Sequence, residues 1–87
     1  MARILVIHHD AGRLPPSVVA ANKTELLRKA GDWLKANPDV RFNGTFVNSE
    51  GIGICDWDAP STAKVVEALN ALGAPYDDVV MVNQVLP

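Results

Sequence analysis

Short apolar runs and two amphipathic stretches alternate along the chain, and their periods predict six elements. The first run, Arg3 to His9 (RILVIHH), is apolar from Ile4 to Ile7 and rich in β-branched residues. It is too short for a helix and reads as a strand covered on both faces. Asp10-Ala11-Gly12 and Pro15-Pro16 follow as a loop, because proline brings no amide hydrogen to a central strand. From a start between Ser17 and Asn22 to about Ala36, the residues Leu26, Leu27, Ala30, Trp33 and Leu34 recur at helical spacing. Ser17 is one candidate cap, and Asn22 with Glu25 three residues on is another, in the manner of a capping box. A glycine inside a helix is costly, so Gly31 suggests close packing on a strand. Asn37-Pro38 ends the helix.

Val40 to Asn48 and Ile52 to Trp57, joined by Ser49-Glu50-Gly51, read as a hairpin. A two-residue period puts Phe42, Gly44 and Phe46 on one face of its first arm and Thr45 and Val47 on the other. In the second arm Ile52 and Ile54 oppose Cys55 and Trp57. Asp58-Ala59-Pro60-Ser61 leads into a second helix, capped by Ser61, with Val65, Val66, Ala68, Leu69 and Leu72 as its apolar face and Gly73 as its stop. Pro75 to Asp78 is a turn, and Val79 to Leu86 a last strand.

Strand, helix, strand, strand, helix, strand, joined by right-handed crossovers, is the order of an α+β, ferredoxin-like βαββαβ sandwich. That fold has a four-stranded antiparallel sheet with two helices on one face. Its first and fourth strands are neighbours, and here both are apolar on both faces. Helices cover one face only. The expectation is therefore a two-fold homodimer packed sheet against sheet, a dimeric α/β barrel, because large apolar patches are rare on monomers. The alternative is that Ile4, Val6, Val80 and Val82 are partly exposed surface residues.

Length and charge narrow the function classes. Eighty-seven residues make one domain, 1–87. Eight Lys and Arg against ten Asp and Glu leave a net charge of -2, with no basic stripe for a nucleic acid. With 48% hydrophobic and 21% charged residues the chain is not a disordered one. One cysteine excludes an internal disulfide and a Cys-only zinc knuckle. No apolar run is long enough to span a membrane, and no signal-peptide pattern follows Met1, so a cytoplasmic domain with no membrane partner is expected.

The residues that carry chemistry are few. His8 and His9 end the first strand on opposite faces, so only one of them can share a face with Cys55 on the neighbouring third strand. Imidazole and thiolate suit an open nickel or copper site better than a closed structural zinc. The bland alternative is a hydrogen-bonded His and a small core Cys. Asp56 and Asp58 sit two apart, the spacing of a hard-cation or acid/base pair, or of a charged strand exit. Phe42, Phe46, Trp57 and Tyr76 are candidate lining for a cleft between sheet and helices. Gly51-Ile52-Gly53 precedes a strand and not a helix, so it is no phosphate loop, and no nucleophile elbow is present.

From Cys55 onward the chain reads CDWDAPSTAKVVEALNALGAPYDDVVMV. This resembles the small bacterial family of nickel-binding-protein-like domains, over Cys55, Trp57, Asp58-Ala59-Pro60, Gly73-Ala74-Pro75 and Val79 to Val82, with Phe46-Val47-Asn48 matching the preceding strand. The resemblance implies a dimeric ferredoxin-like fold and, for some members, nickel. Ile7-His8-His9-Asp10 and Leu14-Pro15-Pro16 depart from the family's pattern, so ligands in the first third do not carry over residue by residue.

Three functions stay open on these grounds. The first is a metal-binding homodimer using His8, His9, Cys55 or Asp56, with nickel or another divalent transition metal as cofactor. The second is a small dimeric α/β-barrel enzyme, an isomerase or cofactorless monooxygenase acting on an apolar small molecule. The third is a regulatory or scaffolding module with no ligand site.

Overall fold

The computed structural model describes residues 1–87. In chain order its elements are β1 (Ala2–His8), α1 (Pro16–Ala21), α2 (Lys23–Ala36), β2 (Arg41–Val47), β3 (Gly53–Ala59), α3 (Thr62–Leu72) and β4 (Asp78–Val82). The four strands form one antiparallel sheet in the order β2-β3-β1-β4, the arrangement of the ferredoxin-like α+β fold. No helix is long and apolar enough to cross a membrane.

Pairing of β1 with β3 sets the two faces. Ile4 lies opposite Trp57, Val6 opposite Cys55 and His8 opposite Gly53. Directly paired residues share a face, so Ile4, Val6, His8, Cys55, Trp57 and Ala59 all point toward the helices, and all are buried. Arg3, Leu5, Ile7, Ile54, Asp56 and Asp58 point to the other side, joined from β4 by Val80 and Val82. The core is completed by Val65, Ala68 and Leu69 of α3, which recur at the spacing that brings one helix face to the sheet. Ser61 caps α3, its Oγ accepting the Lys64 N–H at 3.2 Å. Gly73 ends it in the left-handed conformation, φ 66°, where a Cβ would be strained.

The first crossover departs from expectation. It is two helices, broken at Asn22, and neither expected cap forms. Asn22 donates through Nδ2 to the Val18 carbonyl at 2.8 Å, and Glu25 pairs with Arg28. The expected stripe is shallow: Leu26, Ala30, Trp33 and Leu34 are half-buried, while Leu27 is 61% exposed. Gly31 has no neighbour within 4 Å of where a Cβ would stand, so close packing on a strand does not account for it.

Two strand expectations are also corrected. A β-bulge between Phe42 and Gly44 adds one residue to β2, and one extra residue reverses the alternation beyond it. Phe42 therefore pairs with Trp57 on the helix side, whereas Gly44 and Phe46 pair with Asp56 and Ile54 on the open side. The last strand stops at Val82, and Val85 and Leu86 are exposed beyond it.

The hairpin loop is locked by one side chain. Asn48 Oδ1 accepts the N–H groups of Glu50 at 2.9 Å and Ile52 at 3.0 Å. Gly51 turns there at φ 80°, where a Cβ would also lie 2.6 Å from the Leu14 carbonyl carbon.

Leu69→Ala should cost about 2–5 kcal/mol by leaving a cavity under the sheet. Leu27→Ala, on the exposed side of α2, should stay within about 0.5 kcal/mol. Urea unfolding of the two variants checks both.

Candidate functional site

The two buried polar side chains, His8 and Asp56, lie on opposite faces of the sheet and organise different clusters. On the helix side, His8 stands one pair beyond Val6 and Cys55, opposite Gly53. Glycine is required at that position by the approach of β2, because a Cβ there would collide with the backbone of Phe46 and Val47. His8 Nε2 lies 3.1 Å from Cys55 Sγ, and its Nδ1 lies 2.7 Å from the Gly12 carbonyl oxygen. A carbonyl only accepts, so Nδ1 carries the proton and Nε2 presents its lone pair to the sulfur. Cys55 Sγ also lies 3.0 Å from Thr45 Oγ1. Gly12, His8, Cys55 and Thr45 thus form one hydrogen-bonded line from the β1–α1 loop to the edge strand β2.

Burial sets the chemistry of that line. His8 is 0% and Cys55 5% exposed. Removal from water pushes the Cys55 thiol above its ordinary range, against a smaller lowering by the Thr45 hydroxyl. Cys55 consequently rests as a protonated thiol. Thr45 is exposed, so the sulfur is one side chain below solvent on that side.

On the open face, Asp56 accepts from Arg3 Nε at 3.1 and 3.2 Å and from Arg3 Nη2. Asn43, within the bulge, donates to Asp56 Oδ1 at 3.3 Å and to Asp58 Oδ2 at 3.0 Å. The Arg3 hydrogen bonds hold the Asp56 carboxyl below its ordinary range despite its burial. An open groove of about 350 Å³ runs past this pair, lined by Leu5, Ile54, Val82, Asn83 and Gln84 as well as Arg3 and Asp56.

The sequence candidates therefore divide. His8 and Cys55 meet, while Asp56 lies on the other face and His9 is exposed at the strand end. Asp56 and Asp58 share the open face, but Arg3 and Asn43 bond both oxygens of Asp56, and Asn43 also bonds one oxygen of Asp58. No three His, Cys, Asp or Glu side chains gather as a metal shell. Phe42 and Trp57 stack at 4.7 Å between centroids, tilted by 51°. Phe46, 63% exposed on the opposite face, cannot share a cleft with them; the bulge is the reason. Tyr76 sits in the turn before β4, its backbone against Gly12. The Trp57 indole N–H is buried without a partner.

Sequence reasoning missed Thr45 and Asp77. Asp77 Oδ2 accepts the N–H groups of His9 at 2.7 Å and Asp10 at 3.0 Å, and Oδ1 that of Gly12 at 3.1 Å. These bonds, that of His9 foremost, lower its carboxyl to about 2. The signal in the sequence was only an acidic residue after Pro75-Tyr76, which any turn carries.

No protein-family model matches the chain, and no curated protein matches it. Among solved structures, the crystal structure of SCO4226 from Streptomyces coelicolor A3(2) is similar, with a TM-score of 0.67 and 16% identity over 98% of this chain and 100% of that one. At that identity the likeness shows the fold.

The Asp77 pKa falls from an ordinary 3.8 to about 2 on folding, so its ionised form stabilises the fold above about pH 4 and that contribution is lost as pH falls through 2. Asp77→Asn should lower stability at neutral pH and flatten the remaining dependence between about pH 4 and 2, as measured by urea unfolding across that range.

Proposed function

We propose that this chain is a homodimeric binding protein for a late first-row transition-metal ion such as nickel, with His8 and Cys55 as its protein donors. The observation that carries the reading is the 3.1 Å separation of His8 Nε2 and Cys55 Sγ. Nitrogen at about 2.0 Å and sulfur at about 2.3 Å from one ion, at right angles, stand about 3.1 Å apart. The second ring nitrogen is tied to the Gly12 carbonyl, the outer support that metal-bound imidazoles commonly have. A soft sulfur with an imidazole suits nickel or copper, and two protein donors leave positions for the Thr45 hydroxyl or water. The resemblance of Cys55 to Val82 to the nickel-binding-protein-like family makes nickel the first ion to try.

Dimerisation is argued from the open face. Leu5, Ile7, Ile54, Phe46, Val80 and Val82 are left uncovered by the helices there. An apolar face of this kind favours a partner. Arg3 together with Asp56 and Asp58 gives it both signs of charge, which is compatible with a self-complementary two-fold interface. The groove beside Arg3 and Asp56 supports a second reading, in which two facing sheets enclose a small apolar molecule, as in a dimeric α/β-barrel enzyme. Saturation of the dimer by an apolar aromatic probe, lost in Leu5→Glu, would favour it over the metal reading.

Nickel titration by calorimetry should give a Kd tighter than about 1 mM, and Cys55→Ser should weaken it at least tenfold. Binding displaces the thiol proton, so affinity should rise about tenfold per pH unit between pH 6 and 8. Unchanged binding in Cys55→Ser defeats the assignment. Sedimentation should show a dimer in the parent chain and a monomer in Val80→Glu; a parent monomer of 9.4 kDa at micromolar concentration removes the shared interface.

A further inference from the structure

We propose that Asp77 is the positioning residue of the His8–Cys55 pair and acts through the backbone of Gly12. Its effect on metal affinity rests on the metal reading above, whereas its effect on the imidazole rests on geometry alone.

The connection is continuous. The Asp77 carboxylate gathers the N–H groups of His9, Asp10 and Gly12, and with them fixes how the chain leaves β1. Gly12 is turned so that its carbonyl accepts the His8 Nδ1–H at 2.7 Å. That bond selects the tautomer whose Nε2 lone pair faces Cys55. The loop lies directly on the turn before β4: a Cβ on Gly12 would stand 2.2 Å from the Tyr76 carbonyl carbon and 2.5 Å from the Asp77 nitrogen. Glycine is required there by the approach of two backbones. The Asp77 N–H in turn donates to the Ile7 carbonyl at 2.9 Å, beside His8.

The second anchor of the loop does a different job. Leu14 N–H donates to the Gly51 carbonyl at 3.0 Å and holds the loop to the hairpin, leaving the Gly12 carbonyl to be aimed by Asp77. A half-buried carboxylate at one end of the line thereby governs a buried thiol–imidazole pair at the other, through hydrogen bonds and without touching either ring or sulfur.

The test combines nitrogen-15 imidazole spectra with nickel titration at one pH. The parent chain should show His8 as a single Nδ1–H tautomer. Asp77→Ala, which removes all three acceptors, should give a mixture of tautomers and weaken nickel binding about 10–100-fold. Asp77→Asn keeps one acceptor oxygen and should shift both readouts less, in the same direction; it decides the matter if the alanine variant does not fold. Asp78→Ala, which removes a neighbouring exposed charge, should leave both unchanged. A folded Asp77 variant that keeps the single tautomer overturns the proposal. A parent chain that binds no nickel while the Asp77 variants still mix the tautomers upholds the positioning and defeats only the metal reading.

Discussion

The register of β1 on β3 is the constraint on which the rest depends. It sets Val6 beside Cys55 and His8 beside Gly53, and every feature of the helix-side cluster follows from that placement. A slip of one residue would turn Ile4, Val6 and His8 to the open face and bring Arg3, Leu5 and Ile7 into the core. The cost of burying Arg3 against α3 forbids it. The same register that specifies the fold therefore brings together the one imidazole and the one thiol that are buried.

The two faces of the sheet are polar in different ways. Beneath the helices, the His8 imidazole and a protonated thiol satisfy each other within a line that ends at Gly12 and Thr45. A full charge there would lack an opposite partner, and burial disfavours it. The open face instead carries an ion pair, Arg3 with Asp56, at the floor of a groove among aliphatic side chains. Arg3 remains half-exposed, so solvent screens the pair and its energetic weight is small. Its larger effect is to mark the face with both charges.

Much of the architecture was legible in the chain. A short apolar run rich in β-branched residues located β1, a two-residue period gave the faces of β3, and Ser61 and Gly73 bounded α3 by chemistry that is local to them. What was not legible came from residues whose effect is on register. The bulge beside Asn43 has no distinct signature in Phe42-Asn43-Gly44, yet it moves Phe46 to the other face. Val79 to Leu86 reads as one apolar run, but pairing with β1 ends at Val82 opposite Arg3. Of the site, strand order brings one of His8 and His9 to the face of Cys55, but the choice of His8 comes from the register of β1 on β3. Thr45 could have joined them, since a loop closing Val47 on Gly53 puts Thr45 opposite Cys55. Gly12 and Asp77, 65 residues apart, meet only through tertiary structure.

Nickel K-edge absorption on the loaded protein tests the central claim most directly, because it reads the atoms around the ion. A sulfur at about 2.3 Å and an imidazole nitrogen at about 2.0 Å are predicted. A shell of oxygen and nitrogen alone, with no sulfur, would contradict the assignment of Cys55.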